Sequence, residues 1–164
     1  MALPAAATLA IVAFQAAGLQ PRLIPALFLA AITPALCSAD VLFRRLPNAL
    51  VLPGYPVALA ACGAQWSRTG EFPTAALAAG GITIAVFGVL VAVGGMGMGD
   101  AKLAGVLALS AGLIGPSSAV ATVVVAFLLG GIASVSALAQ GERGGIPFGP
   151  FLLAGYWIAL ALAA

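Results

Sequence analysis

Thr74-Ala-Ala-Leu-Ala-Ala-Gly-Gly-Ile-Thr-Ile-Ala-Val-Phe-Gly-Val-Leu-Val-Ala-Val-Gly94 contains no charged side chain and no proline. A helix needs about 20 such residues to cross roughly 30 Å of hydrocarbon. The pattern repeats on both sides. Apolar runs occupy residues 3–19, 23–39, 49–64, 101–115, 117–139 and 148–164, so seven helices are expected. The 164-residue chain is 63% hydrophobic and 6% charged, which excludes a water-soluble core. A membrane barrel would alternate polar and apolar residues along each strand. The expected fold is therefore all-α, a polytopic membrane helix bundle. Its 21 glycines and many alanines fit helices that associate in lipid through small residues.

Pro25, Pro34, Pro53 and Pro56 fall inside these runs and predict kinks that neighbouring helices tolerate. Cys37 and Cys62 are also inside runs and form no Cys-x-x-Cys pair. They read as packing residues, with neither a zinc site nor a disulfide framework indicated. A net charge of +2 with no cluster of four or more bases argues against nucleic acid as a partner. The first run has no basic residue before Arg22, so it lacks the charged start of a secretory signal and is expected to be a retained span.

Two of the four acids stand at the rims of apolar runs, in Asp40-Val-Leu-Phe-Arg-Arg-Leu-Pro-Asn48 and in Gly97-Met-Gly-Asp-Ala-Lys102. Ionised groups are expensive at a bilayer boundary and are usually functional there. With seven spans, Arg44, Arg45, Lys102 and Arg143 share one side, and Arg22 and Arg68 the other. Positive charge marks the cytoplasmic side, so both aspartates are expected to face the cytoplasm. Arg44 and Arg45 read first as topology anchors, and Lys102 as an anchor or a support for Asp100. Glu142 with Arg143, and Arg68 with Glu71, read as solvated loop ends.

The run after Asp100 carries Ala101, Gly105, Ala108 and Gly112 on one face, spaced for close approach of another helix. The helix bearing Asp40 is the expected partner. Gly94, Gly95, Gly97 and Gly99 are expected to let the backbone turn just before Asp100, while Met96 and Met98 read as packing. Pro47 and Asn48 read as the start of the next helix. Ile146 to Phe151, with Pro147 and Pro150 bracketing Phe148 and Gly149, reads as a stiff turn bounding a cleft.

Two carboxylates in a low-dielectric site cannot both ionise cheaply, so a converging pair holds one proton and titrates as a unit. One ionised and one protonated acid suffice to activate water and polarise an amide carbonyl. No metal or cofactor is called for. Asp40 is expected to follow the C-terminal end of its helix, and Asp100 to cap the N-terminal end of its own. The two helix dipoles would then place the shared proton on Asp40. A transporter or channel using the aspartates for protons or cations is the competing reading. A purely structural subunit is a third, and would tolerate asparagine at both positions.

Asp40 through Asn48, Gly97 through Lys102, and Ile146-Pro-Phe-Gly-Pro-Phe151 together resemble the bacterial type IV prepilin peptidases. These are similar, through Gly-x-Gly-Asp, to presenilin-like intramembrane aspartyl proteases. The resemblance covers residues from about 23 to 164. It implies a six-helix peptidase core at 23–164, with residues 1–22 as an additional N-terminal membrane segment. It also implies Asp40 and Asp100 as the catalytic pair. Gly97, Gly99, Lys102, Pro147, Phe148, Gly149 and Pro150 would be supporting residues. The implied activity is removal of short basic leaders from pilin-like precursors, at the cytoplasmic face of the bacterial inner membrane. Leu46 replaces the family's usual isoleucine. The cysteine-rich domain that accompanies N-methylation in longer members is missing, so methyl transfer is not expected.

Overall fold

A computed structural model describes residues 2–141 and 146–164. Glu142 and Arg143, read above as a solvated loop end, lie outside the described residues. Among the described residues eight helical segments follow one another: α1 (Ala2–Ala17), α2 (Leu23–Phe43), α3 (Asn48–Val51), α4 (Gly54–Thr69), α5 (Thr74–Ala92), α6 (Met98–Ile114), α7 (Pro116–Ala139) and α8 (Gly149–Ala163). No strand occurs among the described residues. The expected all-α bundle is what the chain forms. Among the described residues four helical stretches are long and apolar enough to cross a membrane: Leu23–Phe43, Asn48–Thr69, Thr74–Ala92 and Pro116–Ala139.

The expected third helix is interrupted at Leu52 and Pro53, which separates α3 from α4. Of the other prolines, Pro25 and Pro56 occupy first turns of α2 and α4, where a missing N–H forfeits no helical bond. Only Pro34 stands inside a helix.

α6 is the axis of the bundle. Every residue from Leu103 to Leu113 is buried, and the helix packs against α5, α7, α8, α4 and α3. A helix apolar all round belongs in such a place. Its small-residue face does seat a neighbouring helix, but the neighbour is α5, not α2. A Cβ on Gly112 would lie 2.6 Å from Ala76 Cα, and one on Gly105 would run into Ile84 and the Tyr55 hydroxyl. The reason is placement: α2 packs chiefly with α1, α4 and α8.

Buried polar groups tie the helices together. The Ser110 and Tyr156 hydroxyls stand 2.9 Å apart, and Trp157 Nε1–H donates to Thr33 Oγ1 at 3.1 Å. Such bonds contribute about 1 kcal/mol each in lipid. The outer faces carry large apolar side chains, among them Ile82, Val86, Leu128 and Ile132, as lipid contact requires. Cys37 and Cys62 are free, half-buried and buried respectively.

Candidate active site

Asp40 lies in the last turn of α2, not beyond it, because nothing between Ser38 and Phe43 breaks the helix. The cap is Arg44, whose φ of 50° is left-handed and whose N–H bonds the Asp40 carbonyl at 2.8 Å. Asp100 is likewise inside its helix, the third residue of α6, and Gly97 holds the capping position with extended backbone. From that third position an acid reaches back toward the cap. A Cβ on Gly97 would stand 3.2 Å from Asp100 Oδ2. Of the four glycines before Asp100, only Gly94, at φ 76°, takes a left-handed turn. Gly97 and Gly99 serve instead by close approach, Gly99 to Leu46.

Both aspartates line one cleft of about 360 Å³, together with Arg44, Arg45, Leu46, Asn48, Gly97, Met98, Gly99 and Lys102. Asp40 is only 5% exposed, so a carboxyl there requires a partner. It finds one in α8: the Gly149 N–H donates to Asp40 Oδ2 at 2.9 Å. A Cβ on Gly149 would fall 2.8 Å from that same oxygen. Gly149 thus enters the site as a donor, and its lack of a side chain is what permits the contact. That donor was absent from the dipole argument, so helix dipoles alone no longer decide which acid carries a shared proton. Asp100 Oδ1 is buried with no hydrogen-bond partner among the described residues.

Lys102 Nζ donates to Asn48 Oδ1 at 3.2 Å, joining α6 to α3. The Tyr55 hydroxyl donates to the Lys102 carbonyl at 2.9 Å. These two bonds hold the first turns of α6, and hence Asp100, from the α3–α4 side. Nothing in the one-dimensional pattern marks Tyr55 or the Asn48–Lys102 pair. Met98, read as packing, is instead 56% exposed on the cleft rim.

Phe148 caps α8 and accepts the Phe151 and Leu152 N–H groups. Its ring packs on Phe127 with centroids 5.4 Å apart. Pro150 sits in the first turn of α8. Pro147 lines neither this cleft nor the adjoining cavity beside Phe148. Arg44, Arg45 and Lys102 share the aspartate cleft, while Arg68 lines a different cavity with Leu19, Gln20, Pro21 and Leu23. Among the described residues no group of three or more His, Cys, Asp or Glu side chains assembles to hold a metal ion.

The arrangement offers two acids of different surroundings, one held by the Gly149 N–H and one with a buried oxygen that has no partner among the described residues, in a polar cleft surrounded by apolar helices. Neither a curated protein nor a solved structure matches the chain. A family profile does, over residues 27–135, more than half of the chain. Its span includes both aspartates and stops short of the turn at Ile146 to Phe151. On that match the chain belongs to the type IV leader peptidase family.

Proposed function

We propose that the protein is an aspartic endopeptidase that removes the short basic leader of pilin-like precursors, with Asp40 and Asp100 as its catalytic pair. Membership of the family makes it a leader-peptidase type of protease acting on pilin-like precursors in general. The observation that carries the finer reading is the meeting of two acids, far apart in the chain, in one cleft. The pair holds one proton. The ionised acid takes a proton from water as its oxygen adds to the scissile carbonyl carbon, while the protonated acid donates to the carbonyl oxygen. The tetrahedral intermediate then collapses, the C–N bond breaks and the departing nitrogen takes a proton from the pair.

Gly149 orients Asp40, Gly97 leaves room beside Asp100, and Gly99 lets Leu46 approach the start of α6. Lys102 holds the α6 turn through Asn48, and Phe148, Pro147 and Pro150 shape the entry to α8. The cleft faces the cytoplasm at the bacterial inner membrane, the side favoured by Arg44, Arg45 and Lys102. Residues 23–164 form the peptidase core and residues 1–22 an additional membrane segment.

The test is processing of a pilin-like precursor by purified protein in detergent, with products identified by mass spectrometry. Wild type is expected to release a leader, and Asp40→Asn and Asp100→Asn to release it at least about 100-fold more slowly. Processing at the wild-type rate by both variants would refute the pair. A wild type that cuts no precursor would refute the protease reading.

A further inference from the structure

Among the described residues two hydrogen bonds join α2 to α8. At the cleft the Gly149 N–H donates to Asp40 Oδ2 at 2.9 Å, and away from the cleft Trp157 Nε1–H donates to Thr33 Oγ1 at 3.1 Å. Thr33 precedes Asp40 by seven residues of α2, and Trp157 follows Gly149 by eight residues of α8, rises of about 10.5 and 12 Å in a helix. Two antiparallel helices need such matched spacings to make both bonds in one register. Thr33 and Trp157 are 8% and 7% exposed, so little water competes for the second bond.

Thr33 stands immediately before Pro34, the proline inside α2. Proline has no N–H for the carbonyl four residues back, here that of Ala30, and its ring crowds that carbonyl. The Thr33 hydroxyl donates to the Leu29 carbonyl at 2.7 Å, a back-bond that also favours bending. The part of α2 that carries Asp40 is thus joined to the rest through a weakened turn. A buried indole N–H needs an acceptor somewhere. Here the acceptor is the residue before the proline, on the helix that carries Asp40.

Building on the aspartic-protease reading, we propose that Trp157 and Thr33 are positioning residues for Asp40. Their hydrogen bond holds α2 against α8 beside Pro34, and so sets the angle at which the last turns of α2 bring the carboxyl to the Gly149 N–H and into the cleft shared with Asp100. Neither residue lines that cleft. Their effect reaches the reaction only through Asp40.

The experiment measures kcat and KM per folded enzyme, with the full chain in detergent and a precursor that wild type cleaves. Trp157→Phe removes the donor and keeps an aromatic ring, and Thr33→Val removes the acceptor at nearly constant volume. Each is expected to lower kcat at least about tenfold, as a small displacement of a reacting group does, with KM near the wild-type value. Thr33→Ser keeps the hydroxyl and is expected to restore kcat. Tyr156→Phe breaks the neighbouring buried bond of α8, the one to Ser110, and is expected to lower the melting temperature while leaving kcat near wild type. In a Gly149→Ala background, Trp157→Phe is expected to cost less than it does alone, because both act on one carboxyl.

The Thr33 pair decides the matter if Trp157→Phe does not fold. A folded Trp157→Phe or Thr33→Val with the wild-type kcat overturns the positioning role and leaves the protease reading standing. So does a Thr33→Ser as slow as Thr33→Val, or a Tyr156→Phe that loses kcat as Trp157→Phe does, since general loosening of the bundle would then suffice. Full additivity with Gly149→Ala overturns the route through Asp40. Wild type cleaving no precursor overturns the protease reading itself, and the positioning role with it.

Discussion

At the residue scale the site depends on one backbone donor. Gly149 reaches Asp40 Oδ2 at 2.9 Å, and a methyl group at that position would sit 2.8 Å from the same oxygen. Gly149→Ala is therefore expected to displace the carboxyl and lower kcat by about 10- to 100-fold, an effect typical of a small misplacement of a reacting group. Steady-state kinetics on a cleavable precursor measure it, and an unchanged kcat would contradict the placement. Arg44 makes a second case. Its φ of 50° costs a side-chain-bearing residue about 1 kcal/mol relative to glycine. Arg44→Gly is expected to raise the melting temperature in detergent, and a lowered one would show that the guanidinium contributes more than the backbone strain removes. Asp40 and Asp100 were legible in the sequence because acids are conspicuous in a chain with 6% charge. The Gly149 donor, the Asn48–Lys102 bond and Tyr55 were not, since each depends on segments far apart in sequence coming within 3.2 Å.

At the scale of elements, α6 carries the most information. Its small residues announced close packing, and close packing is present. Which helix would fill the groove was not legible, because Gly105 and Gly112 describe a shape and not the identity of its complement. α5 occupies it. Gly112→Val pushes a branched side chain against the Ala76 backbone, 2.6 Å from the added Cβ, and is expected to cost about 1–3 kcal/mol. Thermal unfolding in detergent checks this, with Gly81→Val as the comparison expected to stay near wild type. Element ends were read less well than element existence. Asp40 and Asp100 were assigned outside their helices because charge interrupts an apolar run, but the backbone's hydrogen bonding continues past a charge until Arg44 on one side and begins after Gly97 on the other.

At the scale of the whole molecule, the described basic residues fall in separate places: Arg44, Arg45 and Lys102 line the aspartate cleft, and Arg68 lines a cavity with the α1–α2 connection. In a background with Cys37 and Cys62 replaced by serine, Arg45→Cys is expected to react with a membrane-impermeant thiol reagent only after the inner membrane is opened. Glu71→Cys is expected to react before. Labelling in the reverse order would invert the proposed orientation. The apolar runs made the helical bundle legible, since hydrocarbon leaves a chain few alternatives to internally bonded helices. The arrangement of helices around α6 was not, because lipid-facing and protein-facing residues are similarly apolar and periodicity does not separate them.

The central claim, that Asp40 and Asp100 act as one catalytic unit, is tested most directly by single-turnover cleavage rates of wild type, Asp40→Asn, Asp100→Asn and the double variant on one precursor. Each single change is expected to slow cleavage by about 10²- to 10⁴-fold, and the double variant to be no slower than the worse single, as groups acting together are non-additive. A single variant that cuts at the wild-type rate, or a double variant whose loss equals the product of the two, would contradict it.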